Sequence, residues 1–135
     1  VALRRYVASP ITLTIEQGMV THIAGDGLDA ELFRGYIESY NDPRAYAVSH
    51  IGWGLNHLAR WTHLSTTRQG DSEIGVNGLA YYGNVLFSLG PNTELGGTND
   101  TACHMDIPMR GCSLYLDETL IVDNGVVVDP AMQPV

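Results

Sequence analysis

The sequence predicts an α+β fold: a mostly antiparallel or mixed β-sheet accompanied by one clear amphipathic helix. Three observations carry this reading. Short alternating apolar runs recur along the chain. A helical period of apolar residues occurs once, between Ala30 and Tyr40. The C-terminal half is cut into short strand-like runs by turn-forming Asp, Asn and Gly, and reads as mostly antiparallel.

In order, Ile11–Ile15 alternates apolar and polar residues as a half-buried strand does. Glu16-Gln17-Gly18 turns the chain and Met19–Ile23 returns it, a β-hairpin. His22 falls on the polar side and reads as a surface histidine. Asp29 is placed to cap the helix, with Glu31 in its first turn. Leu32, Phe33, Tyr36, Ile37 and Tyr40 form the apolar stripe, and Asn41-Asp42-Pro43 stops the helix because the residue before proline is pushed out of the α region. Ala45–Ile51 reads as a buried strand ending at His50, followed by Gly52-Trp53-Gly54, where two glycines let the backbone bend beside a large ring. Residues 56–61 suit one helical turn, with His57 and His63 as surface groups.

Residues 65–80 read as a loop whose one candidate acid or base is Glu73, with a solvated glutamate the simpler reading. Val85–Ser88 is a strand. The polar, Gly-rich segment 89–100 has no Gly-Lys-Ser/Thr and so is no P-loop; it suits a site wall where backbone approaches a ligand. Thr101–Pro108 is a further strand, followed by Cys112–Leu116, Thr119–Val122 and Val126–Val128, with Asp123-Asn124-Gly125 a strong hairpin turn. The tail from Pro130 is expected to fray.

With 135 residues and 44% hydrophobic content, the chain suits one domain, 1–135, with a modest core. It opens on Val1 rather than Met, and is expected to be the C-terminal part of a longer polypeptide whose missing N-terminal part shares the site. Fifteen acidic against seven basic residues give a formal charge of -8, which argues against nucleic-acid or anionic-membrane partners. No apolar run approaches the roughly 18 residues of a membrane span, and no signal peptide is visible. Cys103 and Cys112 form no disulfide framework or zinc ribbon; reduced thiols in a cytoplasmic setting are expected.

The chemistry gathers at Thr101–Pro108. In a strand, His104 and Asp106 share a face, while the adjacent Cys103 points the other way and is poorly placed as a nucleophile paired with His104. An isolated His-x-Asp more often orients a structural histidine than binds a metal. Together with His50, however, it completes two imidazoles and one carboxylate, a set that can hold iron(II) with open positions or a catalytic zinc. No Gly-x-Ser-x-Gly is present, and Ser88 lies in Phe-Ser-Leu-Gly, so a serine hydrolase is excluded.

The ordered motifs Ser49–Asn56, Tyr82–Gly97 and Thr101–Pro108 resemble the C-terminal third of the 2,5-dihydroxypyridine 5,6-dioxygenase family, over about Pro10 to Asp129. That family is distantly similar to metallo-aminopeptidases of the aminopeptidase T type. The resemblance implies a mononuclear non-haem Fe(2+) enzyme that opens a small aromatic N-heterocycle with O2, giving N-formylmaleamate in nicotinate or nicotine degradation. It implies catalytic iron ligands at His50, His104 and Asp106, with Ser88 at or near the metal, an acid/base histidine outside this sequence, and a homo-oligomer. The alternatives are a zinc or cobalt metallo-aminopeptidase and a non-catalytic assembly domain.

Overall fold

A computed structural model describes residues 3, 5–63 and 76–134. Its strands are β1 (Thr12–Glu16), β2 (Met19–Ala24), β3 (Val48–Trp53), β4 (Val85–Leu89), β5 (Met105–Met109), β6 (Leu114–Leu116), β7 (Thr119–Asp123) and β8 (Val126–Val127). The helices are α1 (Leu28–Glu38) and the five-residue α2 (Val76–Ala80). The strands form three small sheets rather than one: β1–β2, β3–β4–β5 and β6–β7–β8. The chain divides into two compact units, one of Ala2–His50 with Ser88–Met105, the other of Ile51–Phe87 with Asp106–Val135, so the division falls within β3, β4 and β5.

In the first unit, β1 and β2 pair antiparallel, with a bulge between Thr14 and Ile15. Gln17 and Gly18 connect them with φ of 50° and 77°, the two positive values of a tight hairpin turn. His22 is exposed, as its polar-side position predicts. Helix α1 buries Ala30, Phe33 and Ile37, spaced to share one face. The expected cap is corrected: Gly27 occupies the N-cap position and Asp29 lies inside the first turn, buried. Its Oδ2 accepts from the N–H groups of Ser9 (2.9 Å) and Ala8 (2.8 Å), and its Oδ1 meets Arg5 Nη2 at 2.7 Å. These contacts, the Ser9 and Ala8 amides before the Arg5 charge, hold the carboxyl below its ordinary range. Asp29 thus ties down the preceding segment, a long-range use that local capping statistics do not reveal. Past the helix, Asn41 takes a φ of 48° and marks the stop.

The strand expected over Ala45–Ile51 begins only at Val48. Pro43–Tyr46 is a 3-10 turn instead, because Pro43 presets its first φ and the Asp42 carboxylate accepts from Arg44 N–H at 3.0 Å. His50 therefore sits in the middle of β3, not at its end.

The second unit is built on an antiparallel meander. The register pairs Leu114 with Val122 and Val122 with Val127, lining up three buried side chains across β6, β7 and β8. With Val85 they form its core, against which Trp53, Tyr82, Cys112, Ile121 and Met132 pack. The Asn124-Gly125 turn has φ of 48° and 87°, as its sequence predicts. Gly83, at φ 75°, lies so close to the meander that a Cβ there would fall 1.8 Å from the Gly125 carbonyl oxygen. The tail does not fray as expected: Pro130–Met132 is a 3-10 turn capped by Asp129, and Gln133 Nε2 donates to Val127 O at 3.1 Å. Val76–Ala80, expected as loop, is helical, while Glu73 lies outside the described residues. His57 is exposed, but His63 is half-buried with Nδ1 at 2.7 Å from Asn77 Nδ2, so the surface reading of His63 is corrected. No helix among the described residues is long and apolar enough to cross a membrane.

Candidate functional site

Three of the four expected site residues belong to the first unit. His50 and His104 are brought together there, with ring centroids 6.3 Å apart and planes at 75°, edge to face. The two are far apart in sequence, and the glycine-rich segment between them explains the approach. Gly90 donates its N–H to Ala47 O at 2.9 Å, and its φ of 110° is closed to ordinary L residues. A Cβ at Gly90 would lie 1.9 Å from the Cys103 carbonyl oxygen and 3.3 Å from His104 Cα. Only a glycine lets the backbone before His104 come this near. Asn99 braces the same place, donating from Nδ2 to Gly90 O (2.7 Å) and to Arg44 O (3.0 Å). The segment is thus a wall whose backbone holds the His104 side of the site.

His104 immediately precedes β5 rather than lying within it, while burial still alternates from buried Cys103 to exposed His104 to buried Met105. This alternation agrees with the expected opposition of Cys103 and His104. Burial, followed by the charge of Asp42, pushes the Cys103 thiol up, away from the thiolate a nucleophile needs. The His104 carbonyl accepts from Tyr36 Oη at 3.5 Å, and Tyr36 in turn accepts from Tyr40 Oη at 3.0 Å. Desolvation and then the Tyr40 hydroxyl push the Tyr36 phenol far above its ordinary range, so it stays protonated and can donate.

Ser88 is fully buried, and its Oγ donates to Met105 O at 3.3 Å, fixing the residue that separates His104 from Asp106. Asp106 is half-buried at the second position of β5 and belongs to the other unit. Among the described residues, no three His, Cys, Asp or Glu side chains are gathered closely enough to hold a metal ion. The two rings supply imidazole donors of the kind a metal ion takes, and their centroid separation by itself does not bring a third donor to them. A separate cleft of about 490 Å³, lined by Met19, Ile37, Glu38, Asp42 and Tyr46 among others, includes none of the four candidates.

The model of the family described as NicX: 2,5-dihydroxypyridine 5,6-dioxygenase matches residues 1–129. The chain belongs to the 2,5-dihydroxypyridine 5,6-dioxygenase family. A curated member of this family, the 2,5-dihydroxypyridine 5,6-dioxygenase of Pseudomonas putida KT2440, is 47% identical over 127 residues, which are 94% of this chain and 36% of that protein. A solved structure of 2,5-dihydroxypyridine dioxygenase from the same organism superposes with a TM-score of 0.90 at 45% identity, covering 98% of this chain and 38% of the other. The chain therefore spans a little over a third of the length of the family relatives it matches, and shares their α+β fold over that length.

Two residues of the site were missed from sequence. Ser49 contacts both His50 and the Pro91 carbonyl, and its only sequence signal is its place next to a candidate ligand. Tyr36 reads as part of the helix stripe, and nothing in that stripe shows that its hydroxyl reaches the backbone of His104.

Proposed function

We propose that this chain is the metal-binding catalytic part of a non-haem iron(II) dioxygenase that opens 2,5-dihydroxypyridine with O2 to N-formylmaleamate. The observation that carries the reading is the approach of His50 and His104 in a chain of this family. In this reading His50, His104 and Asp106 are the iron donors, a set of two imidazoles and one carboxylate. The bound ion would supply open positions for O2 and a ring oxygen, and would stabilise developing charge. Ser88 acts by holding Met105, so that the ligands on either side keep their spacing. The backbone wall at Gly90 and Asn99 holds His104 in place before metal arrives. The remaining length of the relatives would supply further pocket groups, among them the acid/base histidine.

Exposed Tyr115, Leu116 and Val126 on the meander sheet support a homo-oligomer, and the unpaired Cys103 and Cys112 thiols support a reducing, cytoplasmic setting.

The test is metal analysis and O2 uptake by anaerobically iron-loaded full-length protein given 2,5-dihydroxypyridine. Substrate-dependent O2 consumption is expected. His104→Ala should weaken iron binding by at least about 100-fold, the upper range for losing a mere supporting residue, and abolish uptake. Full iron and full uptake in that variant would remove His104 from the metal. Zinc or cobalt with peptide hydrolysis would instead establish the aminopeptidase alternative, and no bound metal the assembly role.

A further inference from the structure

Ser49 Oγ lies between two partners of different character. It is 2.5 Å from the Pro91 carbonyl oxygen and 3.0 Å from His50 Nδ1. A carbonyl oxygen can only accept, and a serine hydroxyl has one proton to give. The Ser49 hydroxyl donates to the Pro91 carbonyl, so its one proton is committed there. Towards His50 the hydroxyl then presents a lone pair. The contact at 3.0 Å is a hydrogen bond only if Nδ1 carries the proton and donates. A neutral imidazole has a single ring proton, so its basic lone pair falls on Nε2.

We propose that Ser49 is a positioning residue that fixes His50 as its Nδ1–H tautomer and thereby makes Nε2 the metal-donating atom of that ring. In water histidine prefers the opposite tautomer, with the proton on Nε2, so the protein selects the less common form. The selection is built from fixed backbone. Pro91 follows Gly90, whose N–H donates to Ala47 O at 2.9 Å and whose carbonyl is held by Asn99 Nδ2 at 2.7 Å. That brace sets the Pro91 carbonyl opposite Ser49, two residues along from Ala47 and on the same strand as His50. The donor role of Nε2 rests on the iron reading above; the tautomer does not.

The experiment uses full-length, metal-free protein labelled with 15N-histidine, and long-range 1H–15N correlation at a pH where the ring is neutral. The His50 signals are assigned by their loss in His50→Gln. Wild-type His50 is expected to show a protonated Nδ1 and an unprotonated Nε2. In Ser49→Ala the proton should move to Nε2, and the iron(II) dissociation constant should rise about 10–100-fold, the range for losing a residue that orients a ligand. Ser49→Thr, which keeps the hydroxyl, should restore both. A wild-type ring protonated on Nε2 overturns the proposal without any variant, as does a Ser49→Ala protein with an unchanged tautomer. A swapped tautomer with unchanged iron affinity overturns the selection of Nε2 as donor. If wild-type protein shows Nδ1–H yet binds no iron, the iron reading fails and the assignment of the tautomer to Ser49 stands.

Discussion

Replacing Gly90 by alanine should damage the site more than any other single methyl added to the glycine-rich wall. Two costs combine. The first is conformational: a φ of 110° is sparsely populated by L residues, at about 1–3 kcal/mol. The second is steric. The new Cβ would stand 1.9 Å from the Cys103 oxygen, so the two backbones must part by more than about 1 Å, with overpacking typically costing about 1–3 kcal/mol. The expected loss is about 2–6 kcal/mol together, and the parting falls on the segment that carries His104. Gly96→Ala is the control. It shares a positive φ, 85°, but a Cβ there meets nothing within 4 Å, so it should cost only about 1–2 kcal/mol. Urea denaturation of the full-length variants followed by tryptophan fluorescence reads the stability, and iron binding reads the site. Gly90→Ala should unfold at clearly lower urea than Gly96→Ala and bind iron poorly, while Gly96→Ala binds it normally. Equal midpoints, or a Gly90→Ala protein with wild-type iron affinity, would refute the reasoning that close backbone approach at Gly90 positions His104.

Val122→Ala removes two methyl groups from a fully buried position at the centre of the meander, and should cost about 2 kcal/mol, measured as a lower denaturation midpoint with an unchanged slope. Asp42 is held down at about 2, chiefly by the hydrogen bond from the Arg44 side chain, then by Thr101 and the Arg44 amide. Because its folded value lies below the ordinary 3.8, its contribution is complete above about pH 4 and is lost as pH falls towards 2. Acid denaturation of Asp42→Asn should therefore show a shallower loss across that window than wild type; an identical acid limb would mean that the Asp42–Arg44 contact contributes nothing.

Much of the fold was legible because its signals are local. The Gln17-Gly18 and Asn124-Gly125 turns announce their hairpins through residues that tolerate positive φ, and the stripe Leu32, Phe33, Tyr36, Ile37 and Tyr40 announces the helix, of which Phe33 and Ile37 prove buried. Where expectation failed, a distant partner decided the outcome. Asp29 is a good cap by local rules, yet it is drawn inward by the amides of Ala8 and Ser9. His63 reads as a surface histidine until Asn77 is brought beside it, and the tail reads as frayed until Gln133 finds the Val127 carbonyl.

The sequence by itself determined most of the strands and hairpins, the main helix, the family, and two histidines and an aspartate as the candidate metal donors, since turn chemistry, periodicity and an ordered string of motifs are all written along the chain. Only the tertiary structure decided that the His50 and His104 ring centroids approach to 6.3 Å, that Gly90 is the glycine on which the approach depends, and that Ser49 Oγ faces His50 Nδ1. The physical reason is that the ring approach and the Ser49–Pro91 contact that orients the Ser49 hydroxyl join residues more than 40 positions apart, that Gly90 meets distant backbone, and that no local pattern carries the register that brings them together.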